Sequence, residues 1–281
     1  MEKALKSFSV KIQFSRLISL RRVVFQISPQ SLESDRPGVR HRRLFGFSAI
    51  PLARCPAQFL FGGQAVNFWA DYFDRKGGVE QLHALRPFTS KDCDIWVSPR
   101  AWTEIQKTEG SRLVRGASPV DGQLGILTLQ LAPLRIVDFM SNVYGIQQEE
   151  LARLCGRAPV FYGIKVIDPI YLFRSKCHCL HGLDQSDRQD ARHVRMLALI
   201  LPEYLSFLIE EATAEKLGER DILKEIKLLK KILGTHACRN ALEQLELDPH
   251  SLIPWDKMAA CGLETLATFA GTQRNPRRDN D

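Results

Sequence analysis

The chain contains no run of eighteen uncharged apolar residues, so the sequence predicts no helix that spans a bilayer. Its longest apolar pieces, "MLALILPEYLSFLI" among them, have the length of core helices. A disulfide framework is also missing. Seven cysteines stand at 55, 93, 155, 177, 179, 238 and 261, an odd number spread irregularly, with no recognisable secretory leader ahead of them. Reduced thiols in a cytoplasmic protein are the expectation. Zinc spacing is missing too. "KCHCLH" supplies Cys177, His178, Cys179 and His181. Structural zinc sites pair ligands at C-x2–4-C spacing with a second pair elsewhere, whereas Cys-x-Cys on a helix turns its sulfurs apart. Interior cysteines and a surface histidine are expected there, and surface positions for His83, His236 and His250. No Ser-His-Asp or Cys-His triad can be argued from spacing, and no internal repeat is visible.

A basic body is missing as well, although the net charge is +7. Residues 1–60 hold eleven Lys/Arg against three Asp/Glu. Of the chain's 39 basic and 32 acidic residues, that leaves 28 against 29 for the remainder, which is almost neutral. The pI therefore describes one segment and is no nucleic-acid footprint for the whole chain. Residues 1–50 are rich in Arg and Ser, with a candidate strand at Val23–Ile27 and no sustained period. They read as a basic arm for nucleic acid, as a segment of transit-peptide composition, or, the favoured expectation, as a weakly ordered extension without a role.

What is present is ordinary globular composition, 44% hydrophobic and 25% charged. "QFLFGG" reads as a short buried strand stopped by glycines. "QAVNFWADYFDRKG" carries Ala65, Phe68, Trp69, Tyr72 and Phe73 at helical spacing, and Gly77-Gly78 ends it. "KDCDIWVS" alternates as a strand does, "AWTEIQKTEG" reads as a helix, and "GILTLQLAPLRIVDFM" as two strands, Ile126–Leu131 and Leu134–Phe139. "IQQEELARLCGRA" is a short helix and "FYGIKVID" a further strand. From Pro169 the chain is almost all helix; in "LLKKIL" the lysines line the outer face of a packed helix. The expected divisions are a weakly ordered extension over 1–55, an α/β unit over 56–168, a helical domain over 169–270 and a disordered polar tail over 271–281.

Three acids stand out. Asp92 and Asp94, at i and i+2 on a strand, share one face roughly 6.6 Å apart at about 3.3 Å rise per residue. Ionised together without a partner they repel, and a divalent cation removes that cost; oxygen donors suit Mg²⁺ or Mn²⁺. Asp138 lies in the apolar strand "LRIVDFM", where a charge is expensive. If that strand pairs beside "DCDIW", Asp138 completes a carboxylate cage able to hold two ions about 3.5–4 Å apart. Gly62 and Gly63, between a strand and a helix, let backbone N–H groups approach a phosphate, and Gln64 can donate beside them. Each piece alone is common; the ordered set is what carries weight.

"FLFGGQAVNFWA", then "FTSKDCDIW", then "LRIVDFM" resembles the nucleotidyltransferase superfamily that includes DNA polymerase β, and most the bacterial minimal-type members, some of them toxins of toxin–antitoxin or abortive-infection systems. The resemblance covers about residues 58–200. It implies an α+β fold, a small mixed nucleotidyltransferase sheet flanked by helices and followed by a C-terminal helical domain. It implies a magnesium-dependent transferase that binds ATP or another nucleoside triphosphate and moves its monophosphate to a hydroxyl acceptor, tRNA or protein, releasing pyrophosphate. Gly62 and Gly63 would contact the triphosphate. Asp92 and Asp94 would ligate two Mg²⁺ ions (Mn²⁺ being an alternative), and Asp138 would ligate the catalytic ion and help deprotonate the acceptor. "PIYLFRSKCHCL" and "DRQDARHVRML" resemble the family's helix lysine and later acid. Lys176 would neutralise phosphate charge, and Asp190 would pair with it or with Arg174; a surface salt bridge is the equal alternative. Ser90 and Lys91, beside the acid pair, are further phosphate contacts. An antitoxin partner goes with the toxin reading. Two other functions compete: a catalytically silent relative that binds a protein partner, which the three intact acids disfavour, and a nucleic-acid-binding protein working through its basic arm, which the neutral body disfavours.

Overall fold

The computed structural model describes residues 57–77, 79–90, 92–115, 122–129, 135–161 and 164–274. The N-terminal extension, with its candidate strand at Val23–Ile27, and the tail beyond residue 274 lie outside the described residues.

The architecture is mixed α and β. Strand β1 (Gln58–Phe61) runs directly into helix α1 (Gly62–Arg75), and a 3₁₀ segment at Glu80–Leu85 leads toward β2 (Asp92–Val97). Ser98 then caps α2 (Pro99–Glu109): its Oγ accepts from the Ala101 amide at 3.2 Å, and Pro99 fills the first-turn position that needs no N–H. The short β3 (Leu113–Arg115), β4 (Gln123–Leu129) and β5 (Arg135–Met140) follow. Helix α3 (Gln148–Arg157) opens with a reciprocal cap between Gln147 and Glu150. "FYGIKVID" is not one strand but two short pieces, β6 (Val160–Phe161) and β7 (Ile164–Lys165), which pair antiparallel; Leu60 on β1 makes a lone parallel bridge to Val166.

The helical half is α4 (Pro169–Gly182), α5 (Asp190–Thr213), α6 (Glu219–Leu233), α7 (His236–Gln244), α8 (Trp255–Ala260) and α9 (Glu264–Arg274). Asp168 caps α4 by accepting from the Ile170 and Tyr171 amides, both at 3.1 Å. Pro202 lies inside α5. On α6, Ile222, Ile226, Leu229, Ile232 and Leu233 recur at helical spacing and are all buried, while the lysines between them face outward.

The sheet has the order β1-β2-β5-β4-β3. β2 and β5 are parallel neighbours, and every other pairing is antiparallel. Side chains alternate across the sheet, so its two faces feed two cores. Cys93, Ile95, Val97, Val137, Phe139, Leu127 and Leu129 pack beneath α2, against Ala101 and Ile105. The opposite face carries Phe59 and Trp96, stacked at 5.0 Å, and joins a second core that runs without a break through α1, α4, α5 and α6 to Leu266 and Ala270 on α9. The helical half is thus packed on the sheet face through shared buried side chains. Trp69 pins α1 to the start of α4: its indole N–H donates to the Ile167 carbonyl at 2.8 Å. Among the described residues no helix is long and apolar enough to cross a membrane.

Candidate functional site

The face that carries Phe59 and Trp96 changes character one residue pair away. In the β2–β5 register Trp96 stands opposite Met140 and Asp94 opposite Asp138, with Asp92 two residues back on β2. Parallel partners point to the same side, so all three carboxylates share the face that meets the helices, and Cys93 and Val137 between them point into the other core. The placement of β5 beside β2 and of Asp138 on the face of Asp94 is the arrangement expected from the sequence.

The three acids differ in surroundings. Asp92 is exposed, and Asp94 and Asp138 are partly enclosed. Burial pushes the Asp94 carboxyl up to about 6; the Lys176 charge opposes this, and the charges of Asp138 and Asp92 add to it. Asp138 is also raised, by burial first and by Asp92 last, with the hydrogen bond from Gln123 Nε2 at 2.7 Å pulling the other way. Among the described residues no group of three or more His, Cys, Asp or Glu stands assembled as a metal cage. The donor chemistry fits a hard cation nonetheless. Three carboxylates repel one another on one face, and the exposed Asp92 has the rotamer freedom to close on its neighbours.

The turn at the head of α1 presses against these acids. Gly62 has φ +67°, a conformation glycine adopts without strain, and a Cβ there would lie 1.9 Å from Asp94 Oδ2. The backbone passes so close to the carboxylate that no side chain fits between. At Gly63 a Cβ would meet His193 Cε1 at 3.0 Å and Ser90 Oγ at 3.2 Å, so the expected phosphate contacts Gly62, Gly63 and Ser90 do converge. Gln64 follows in the first turn of α1, half-buried. Lys91 lies outside the described residues.

Lys176 on α4 and Asp190 at the start of α5 meet at 2.8 Å, both side chains nearly buried at 8% and 1% exposure. The surface-bridge alternative therefore does not describe them. Arg188 adds a second contact to Asp190 at 2.5 Å, whereas Arg174 pairs with Glu150 at 2.9 Å instead. Burial works against the Asp190 charge, but Lys176 and Arg188 outweigh it and hold the carboxyl below its ordinary range. Lys176 is also the main opposing charge at Asp94, which puts the α4–α5 pair and the sheet acids in one electrostatic neighbourhood.

No protein-family model matches the chain, and neither does any curated protein.

Sequence reasoning missed two contributors. Gln123, which orients Asp138, sits at a bulge in β4 that alternation does not reveal. His193 lies one turn after Asp190 on α5, where helical spacing alone does not set it apart from a packed histidine. The cysteines behave as expected: Cys177 and Cys179 are buried, and His181, His83, His236 and His250 are exposed.

Proposed function

We propose that the chain is a metal-dependent nucleotidyltransferase that transfers a nucleoside monophosphate from a triphosphate to a hydroxyl acceptor and releases pyrophosphate. The observation that carries the reading is the packing of the Gly62 backbone against Asp94, with Asp138 in register beside it. A backbone turn able to take phosphate thus adjoins a cluster of carboxylates. Asp92 and Asp94 would hold two Mg²⁺ or Mn²⁺ ions and Asp138 the catalytic one; bound there, the cations neutralise charge that builds on the phosphates in the transition state.

The protein's own groups do the positioning. The Gly62–Gly63 amides, Gln64, Ser90 and Lys176 bind the triphosphate, and the Asp190 contact holds the Lys176 ammonium in place. Asp138, steered by Gln123, accepts the proton of the attacking hydroxyl. Covalent participation by the protein is not needed; orientation and electrostatics supply the acceleration. The acceptor class we propose is tRNA or protein.

The test is incubation of wild type, Asp92→Asn and Asp94→Asn with each radiolabelled triphosphate, Mg²⁺ and cell extract, followed by mass spectrometry of the labelled species. Both variants should fold and neither should label. Undiminished labelling by both defeats the proposal. A catalytically silent partner-binding relative would give no labelling even with wild type.

A further inference from the structure

His193 has no role among the metal and phosphate contacts proposed for the transfer. It is 6% exposed, and among the described residues neither ring nitrogen has a hydrogen-bond partner, a costly state for a buried imidazole. Hydrophobic packing does not explain it, because the ring edge that carries Nε2 faces the turn: Cε1 and Nε2 lie 3.0 Å and 3.5 Å from where a Gly63 Cβ would stand. The turn heads a 14-residue helix, so a nine-tenths-buried polar side chain facing Gly63 in its first turn marks a ligand position.

The surroundings decide the ligand's chemistry. Among the described residues, Lys176, Asp190, Arg192 and Arg188 act on the ring by their charge. Asp190 is matched by both Lys176 and Arg188, and Arg192 is engaged with the Leu85 and Pro87 carbonyls. Burial, with Lys176 next, keeps the imidazole neutral, so it carries one N–H donor. Gly63 and the Ser90 hydroxyl lie beside it and the Lys176 ammonium acts on it, so donors gather next to the Asp94 carboxylate that meets Gly62. A phosphate oxygen satisfies such a set; the edge of a base, which presents donors as well as acceptors, does not.

We infer that His193 is a phosphate-binding residue, whose ring N–H donates to an outer phosphate oxygen of the triphosphate lodged on the Gly62–Gly63 turn. The inference rests on the nucleotidyltransferase reading and extends it: the site would select for the polyphosphate part of the ligand through a neutral donor.

Calorimetric titration with inorganic tripolyphosphate and, separately, AMP, each with magnesium chloride, tests this on wild type, His193→Ala and His193→Gln. Loss of a donor to a charged group weakens binding roughly ten- to hundredfold. His193→Ala should lose about that much for tripolyphosphate and nothing for AMP. His193→Gln, whose amide N–H can stand in for Nε2, should recover most of the loss. Unchanged tripolyphosphate binding by a folded His193→Ala, or an equal loss for AMP, overturns the inference and leaves the transferase reading intact. Wild type that binds neither probe overturns both. Should His193→Ala fail to fold, nitrogen NMR of wild type labelled at histidine decides: tripolyphosphate must shift the ring signals of one buried, neutral histidine, and unshifted signals refute the contact.

Discussion

Asp94→Asn should make the metal-free protein more stable while removing its activity. The carboxyl of Asp94 titrates at about 6 in the folded chain, against 3.8 for the unperturbed group. Between those values the folded state keeps a proton that the unfolded state has released, so stability falls as pH rises through the window. Below it the burial of Asp94 is harmless. Above it the folded protein carries a deficit of about two pH units, at 1.36 kcal/mol each, or about 3 kcal/mol. Asparagine has the same shape and no charge, so it removes the deficit. In urea unfolding with EDTA at pH 7.5, Asp94→Asn should exceed wild type by about 2–3 kcal/mol, and the gap should close by about pH 4. Added Mg²⁺ should then stabilise wild type far more than the variant. The reasoning fails if Asp94→Asn is no more stable than wild type at pH 7.5 in EDTA, because the carboxylate would then be better accommodated than its enclosure beside Asp138 and Asp92 allows.

Two more predictions concern the frame around the acids. Gly62→Ala should be the more damaging of the two turn substitutions, since it combines a left-handed backbone costing about 1 kcal/mol or more with a Cβ driven into the Asp94 carboxylate. Gly63→Ala asks only for a shift of a few tenths of an ångström from His193 and Ser90; denaturation midpoints should rank the pair, and equal midpoints would show that the turn is looser than described. Lys176→Met should cost about 1–3 kcal/mol, less than a wholly unpaired buried carboxylate would, because Arg188 still matches Asp190. In a double-mutant cycle with Asp190→Asn the two losses should fall short of adding by about 1–3 kcal/mol, whereas strict additivity would mean that the 2.8 Å contact carries no energy.

Local patterns carried much of this structure. Alternation in "DCDIWV" placed Asp92 and Asp94 on one face and Cys93 on the other, because a strand has period two whatever its neighbours are. Helical spacing likewise marked α1 and α6. Nonlocal facts were harder to read. That β5 slides between β2 and β4 is a matter of sheet order, and Asp138 gains meaning only through it. The choice of Lys176 and Arg188 over Arg174 as partners of Asp190 depends on the angle between α4 and α5, which the spacing of the residues leaves open. His193 was invisible for a different reason: a histidine on an amphipathic helix becomes informative only when its nitrogens are found buried and unpaired. In "FYGIKVID" an apolar run long enough for one strand became a miniature ribbon.

The parallel ladder between β2 and β5 makes the site sensitive to length in one place and tolerant in another. Because the two strands are joined by α2, β3 and β4 rather than by a tight hairpin, residues can be gained or lost in the intervening connections without disturbing which acid faces which. A single residue inserted in β5 ahead of Asp138 has the opposite effect. It would rotate that carboxylate to the α2 side of the sheet and, by the same half-turn, carry Phe139 out of the core beneath α2, so that site and packing are lost together.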